Sequence, residues 1–219
     1  VSWIHFLSQM ADNPPKWNHQ KIGELAYKSE VTEFDESGGM MDQYSTAMGN
    51  LIYLESEPKI SIRQLNSKLG SFVLGDSCEP KDTMGILKRC RDSRLKIIQK
   101  LMIKNPNLNF YSCDNNVILT DLNKDEISLY HGTIINRDIL NKALLELEKD
   151  APNHQMIGSL LSDHHKVLRD VLNVSTSKIE SMMDAALDAG ALGGKINGSG
   201  GGGCMFAYAP ENPEKVAEA

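Results

Sequence analysis

The sequence predicts an α+β fold, because its strands and its long helices occupy separate stretches instead of alternating along the chain. Three observations carry that reading. Strand patterns cluster at residues 51–55, 60–65 and 71–77. Helical periodicity dominates residues 82–104, 139–147, 157–172 and 179–189. A glycine tract, Gly193-Gly194-Lys195-Ile196-Asn197-Gly198-Ser199-Gly200-Gly201-Gly202-Gly203-Cys204, then joins the last of those helices to a short buried strand at Met205-Phe206-Ala207-Tyr208.

At the N-terminus, Trp3, Ile4, Phe6, Leu7 and Met10 fall at helical spacing, and Asn13-Pro14-Pro15 ends that helix. A second helix is predicted over residues 18–33, with Ile22, Leu25, Ala26 and Val31 near one face. Gly38-Gly39 punctuates it, and a short helix follows with Asp42 in its first turn, where a carboxylate suits the helix dipole. Among the strands, residues 60–65 alternate apolar and polar, as in a half-exposed strand. Residues 71–77 are nearly all apolar and predict a central strand. Residues 108–136 read as irregular, with short strands at 109–112 and 117–120. Val174-Ser175-Thr176-Ser177-Lys178 supplies capping groups for the helix that leads to the glycine tract.

Composition narrows the function classes. The net charge is -6 and the pI near 5.5, which opposes a general nucleic-acid binder. Cys78, Cys90, Cys113 and Cys204 show no Cys-x-x-Cys pairing, so reduced thiols in a cytoplasmic protein are the simplest account. No apolar run approaches a membrane span, and no basic-then-apolar leader opens the chain. Val1 in place of methionine, and a stop at Ala219 just inside a helical pattern, suggest a piece of a longer protein.

Five glycines in the six positions from Gly198 to Gly203 specify an unusual backbone path, and successive amides in such a turn can make a concave anion site. The tract lacks serine-glycine repetition and is flanked by apolar residues, which argues against a flexible linker. It does not end in Gly-Lys-Ser/Thr before a helix, so it is not a conventional phosphate loop. Glu30 alone reads as a solvated helix charge, and Asp42 alone as a helix-terminus residue. The pair His164-His165 is adjacent on a helix, where side chains diverge by about 100°, so the two rarely share one metal ion.

Lys195-Ile196-Asn197-Gly198-Ser199-Gly200-Gly201-Gly202-Gly203 resembles the third motif of the GHMP kinases, the superfamily of galactokinase, homoserine kinase, mevalonate kinase and phosphomevalonate kinase, with Asn197 in place of the usual hydroxyl residue. Gly39-Met40-Met41-Asp42-Gln43-Tyr44 followed by Met48-Gly49 resembles the galactokinase segment Gly-Ile-Met-Asp-Gln-Phe. The stretch from Leu160 to Asp170 is similar to the galactokinase segment in which His165 takes the place of the family histidine. The resemblance implies the end of the GHMP N-terminal domain over residues 1–50 and a ferredoxin-like C-terminal domain over 51–219, with the active site between them. It implies Asp42 as the catalytic base, Gly39 and Asp42 as sugar contacts, and Glu30, twelve residues before Asp42, as the magnesium ligand. Gly198, Ser199, Gly200 and Gly201 would complete the ATP phosphate region.

The implied activity is a galactokinase-like transfer of the γ-phosphoryl group of ATP to a sugar hydroxyl, with Mg2+, and with no nucleic-acid or membrane partner. The family's first two motifs would precede Val1, so the 219-residue piece alone is expected to be inactive. The helix after Asp76-Ser77 carries Lys88, Arg89, Arg91 and Arg94 but lacks the tyrosine that galactokinases place against the sugar. The basic cluster reads either as a solvated face or as a hint of an anionic sugar. A kinase for heptose phosphate, fucose or a uronate, or a non-catalytic sugar sensor of the same fold, are the alternatives.

Overall fold

The computed structural model describes residues 1–36, 38–108 and 113–219, which divide into two units, Val1–Ser67 and Lys68–Ala219. The first unit contains helices α1 (Ser2–Met10), α2 (His19–Tyr27) and α3 (Met41–Met48), and a ribbon of β1 (Leu51–Glu55) and β2 (Ser61–Leu65). β1 and β2 pair antiparallel, Tyr53 facing Arg63, and are grouped with this unit, although the sequence expectation put them with the C-terminal domain.

Asn18 starts α2 by accepting the Lys21 amide at 2.8 Å. The helix then runs into a π-helical turn, Lys28–Thr32, and this one element replaces the last part of the helix predicted to Glu33. α2 packs on α3, and Gly23 sets their spacing, since a Cβ there would lie 2.9 Å from the Tyr44 ring. Tyr44 is fully buried, with Ile22, Ala26, Val31 and Ala47 also in this core. His19 reaches the end of α3 through Nδ1, 2.7 Å from the Ala47 carbonyl.

In the second unit, β3 (Phe72–Asp76), β4 (Gly193–Ile196) and β5 (Cys204–Tyr208) form an antiparallel sheet in the order β3-β5-β4. Leu74 and Lys195 both face Phe206 across the register. Alternation sends Val73, Gly194, Ile196, Met205 and Ala207 to one face. There α7 (Ser177–Asp188) covers them with Ile179 and Met183, and Ile179 and Ile196 are completely buried. Burying each such side chain contributes about 2 kcal/mol.

β3 corrects the sequence expectation: among the described residues it is an edge strand, and Phe72 and Leu74 are exposed. Its apolar residues serve both faces, so composition did not distinguish edge from centre. The central strand is β5. β4 was read as part of the glycine loop, because Gly193 and Gly194 lower strand propensity. Both are demanded by close approach. A Cβ on Gly193 would fall 1.8 Å from the Gly158 carbonyl oxygen of α6 (His154–Asp170), and one on Gly194 2.7 Å from the Phe206 carbonyl oxygen.

Two long helices, α4 (Thr83–Met102) and α5 (Lys124–Leu147), build a second core from Ile97, Ile98, Leu101, Tyr130 and Ile134 with Leu108, Cys113 and Leu122. α5 corrects the irregular reading of residues 124–136. A capping box, Asn123 with Glu126, starts it. The strand expected at 117–120 is turn and irregular chain, whereas the one expected at 109–112 lies outside the described residues. The short α8 (Pro213–Ala217) closes the chain, with Val216 buried against the sheet's core. No helix among the described residues is long and apolar enough to cross a membrane.

Candidate functional site

The predicted site residues fall into two groups, one in each unit. In the first unit Glu30 sits in the π-helical turn, a distortion that often marks functional positions. Its backbone turns the side chain outward while the next residue, Val31, is buried. Gln43 Nε2 donates to Glu30 Oε2 at 2.9 Å, and Gln43 is itself buried on α3. Asp42, the residue before it, lies exposed in the first turn of α3. The structure therefore brings the two carboxylate-bearing positions to neighbouring places, joined by the amide of Gln43. Among the described residues neither Asp42's carboxylate nor Glu30 Oε1 has a protein partner. Gly39 is exposed, and a Cβ there would meet nothing within 4 Å, so the protein leaves an approach open at that point.

In the second unit the glycine loop connects β4 to β5. All five glycines from Gly198 to Gly203 have positive φ. Two of them cannot be replaced within this path. A Cβ on Gly200 would lie 2.4 Å from the Val174 carbonyl oxygen, and one on Gly202 2.8 Å from that of Glu79. The loop is tied down by Gly201 N donating to Val174 O at 2.7 Å and Gly203 N donating to Glu79 O at 3.0 Å. Asn197 N to Cys204 O, at 2.9 Å, closes its base. The amides of Gly198 and Ser199 have no partner among the described residues, which leaves donors at the loop's outer turn.

Sequence reasoning missed Lys81, whose side chain lies along the loop: Cβ atoms built on Gly203 and Gly198 would sit 3.2 and 3.5 Å from its Nζ. No local motif announces it. The only signal was the strand ending in Asp76-Ser77, which leads into this segment. Asp76 Oδ1 accepts the Cys78 amide at 2.9 Å and turns the chain toward the loop.

Of the histidine pair, His165 is buried and His164 half-buried. His165 Nε2 is 2.9 Å from Glu180 Oε1; burial outweighs that carboxylate and lowers the imidazole's pKa. His164 is pushed down to about 4, first by burial and then by the charge of Lys195. Lys195 is itself pushed down to about 8 by burial. Its Nζ donates to Ile196 O at 2.6 Å and lies 5.1 Å from the centroid of the Phe206 ring. Among the described residues no group of three His, Cys, Asp or Glu side chains could hold a metal ion. A single carboxylate such as Glu30 suits magnesium, which keeps waters and takes its other ligands from phosphates.

Known proteins resemble this chain in sequence and in fold. Residues 140–219, which include α6, α7 and the glycine loop, match the family model described as GHMP kinases C terminal. A mevalonate kinase from Thermococcus gammatolerans is 28% identical over 201 residues, 92% of this chain and 51% of that protein. A galactokinase from Clostridium tetani is 26% identical over 206 residues, 89% of this chain and 52% of that protein. The crystal structure of Lactococcus lactis galactokinase complexed with galactose superposes with a TM-score of 0.76 at 18% identity, covering 97% of this chain and 59% of that one. Residues 140–219 are thus similar to the C-terminal domain of GHMP kinases, and the fold of the whole chain is similar to that of galactokinase. The chain spans about half the length of the curated relatives it matches.

Proposed function

We propose that this chain is part of an ATP-dependent kinase that transfers the γ-phosphoryl group to a hydroxyl of a small substrate, with a sugar as the acceptor. The observation that carries the reading is the hydrogen bond from Gln43 to Glu30, which sets a metal-ligand candidate beside the candidate base Asp42. Phosphoryl transfer needs little beyond positioning and charge neutralisation. Asp42, without a side-chain partner among the described residues, orients the acceptor hydroxyl and takes its proton. Gly39 leaves space for the acceptor to approach. Glu30 would hold magnesium, which when bound neutralises phosphate charge. In the second unit the amides of Gly198 and Ser199, the path through Gly200 and Gly201, and the ammonium of Lys81 suit an anionic phosphate group.

A second reading, mevalonate as the acceptor, is favoured by relatives named mevalonate kinase that match over nine-tenths of the chain, and by the missing tyrosine after Asp76-Ser77. The deciding experiment is a coupled ADP-release assay of the full-length protein with ATP and magnesium. The acceptors are galactose, galacturonate, fucose, heptose phosphate and mevalonate, each tested also with Asp42→Asn. Turnover of a sugar, abolished by the substitution, supports the first reading, and turnover of mevalonate alone supports the second. Sugar binding without turnover of any acceptor would overturn both and make the protein a sensor.

A further inference from the structure

The glycine loop lies in a slot with two walls that come from distant parts of the sequence. One wall is the segment Glu79-Pro80-Lys81, and the other is Val174 at the approach to α7. Each wall offers one carbonyl to the loop, Glu79 O to Gly203 N and Val174 O to Gly201 N. The slot has no slack, because Cβ atoms on Gly200 and Gly202 would collide with these same carbonyls. The two walls are also bonded to each other: Thr176 Oγ1 donates to Glu79 Oε2 at 2.5 Å, across 97 residues of chain. Glu79 thus holds the loop with its backbone and the opposite wall with its side chain.

Thr176 is equally committed. It is the N-cap of α7, and its Oγ1 accepts the Ile179 amide at 3.3 Å while its hydroxyl hydrogen goes to Glu79. Ser175 beside it donates to Glu180 Oε1, the same oxygen that meets His165, so this wall is anchored to both α6 and α7. The wall carrying Glu79 is held by a short turn in which Glu79 N donates to Ser77 Oγ at 3.2 Å, and by Ser77 N donating to Gly203 O at 2.9 Å. The Thr176 hydroxyl ties this wall to the one anchored on α6 and α7.

We infer that Glu79 is a positioning residue, its carboxylate bracing against Thr176 to set the width of the slot and so the path of the glycine loop. Hydrogen bonds to a charged group are the strong kind, and losing one costs enough to change a local opening equilibrium about tenfold. The brace acts on the loop and not on the sheet beneath it, whose strands are held by their own ladder.

The test is amide hydrogen exchange on the purified full-length protein, comparing Gly201 and Gly203 with the β5 amides of Met205 and Ala207 as an internal standard. Glu79→Ala speeds loop exchange about tenfold with β5 unchanged; Thr176→Val, which also removes the α7 cap, speeds it at least as much, and the double variant is no faster than Thr176→Val alone. Glu79→Gln and Thr176→Ser, which keep acceptor and donor, restore protection. Unchanged loop exchange in Glu79→Ala, strictly additive effects, or equal acceleration in β5 would each overturn the brace. The inference rests on the proposed kinase reading only for its functional consequence, a several-fold rise in KM for ATP at nearly constant kcat. Failure of that reading leaves no turnover in the wild type while the exchange result stands. Failure of the brace leaves exchange unaltered in an active enzyme.

Discussion

The two candidate regions, one in each unit, are built on opposite principles. The glycine loop is specified by backbone: positive φ at every glycine from 198 to 203, carbonyls in the way of any Cβ at Gly200 and Gly202, and amides tied to both walls. The Glu30 and Asp42 patch is specified by side chains that stand exposed on helices able to fold without them. A change in the first region is expected to disturb structure, whereas a change in the second is expected to leave structure alone and, on the proposed function, to act on chemistry.

The sharpest way to break this contrast is Asp42→Asn. In the full-length protein kcat is expected to fall about 10²–10⁴-fold, the usual contribution of a general base. Stability should change by less than about 0.5 kcal/mol in urea unfolding, because the carboxylate is exposed and unpaired. A large loss of stability would put Asp42 on the structural side. Gly200→Ala tests the other half. It should cost about 2–3 kcal/mol through strain at φ +78° and the collision with Val174, measured by the same unfolding curve for the second unit.

Lys195 gives a smaller, pH-dependent effect. Its pKa is lowered from 10.5 to about 8 by burial, so between those values the unfolded chain binds more protons than the folded one. Stability from this group therefore rises as pH goes from 8 to 10.5, and the burial cost is fully present below pH 8. Lys195→Met should remove that rise, so that the difference in unfolding stability between variant and wild type is constant below pH 8 and changes steadily from pH 8 to 10.5. The smallest effect belongs to Gln43→Leu, expected within about 1 kcal/mol in either direction. It loses the bond to Glu30 but also removes the Gln43 Oε1 oxygen, which is buried without a partner. If Glu30 needs that bond for its place, KM for magnesium rises several-fold in the same variant while stability stays put.

Most of the architecture was legible because the patterns were local. The periodicity of α1 and of α6, the ribbon of β1 and β2, and the glycine tract each announce themselves in a few residues. α5 was missed over its first half because Leu129 and Ile135 blur the single stripe formed by Ile127, Tyr130 and Ile134. Its capping box at Asn123 and Glu126 was the signal available. β3 was misplaced at the sheet centre because apolar side chains at an edge look the same in sequence as those in the middle. Asp42, Glu30 and the loop were proposed as candidates from motif and spacing, in the two units separately. Lys81, Glu79 and the partnership with Thr176 could not, since they meet the loop only through a contact between residues 97 positions apart.

The pairing of Gly158 with Gly193 has a consequence beyond packing. β5 uses one side of β4, and the other side lies against α6, where Gly194 N donates to Ser162 Oγ at 3.3 Å. A helix laid this closely along a strand denies its hydrogen-bonding edge to any second chain that could otherwise add a strand there. Two residues without side chains thus keep that edge covered. A single methyl group at either position would push the helix off the strand and uncover it.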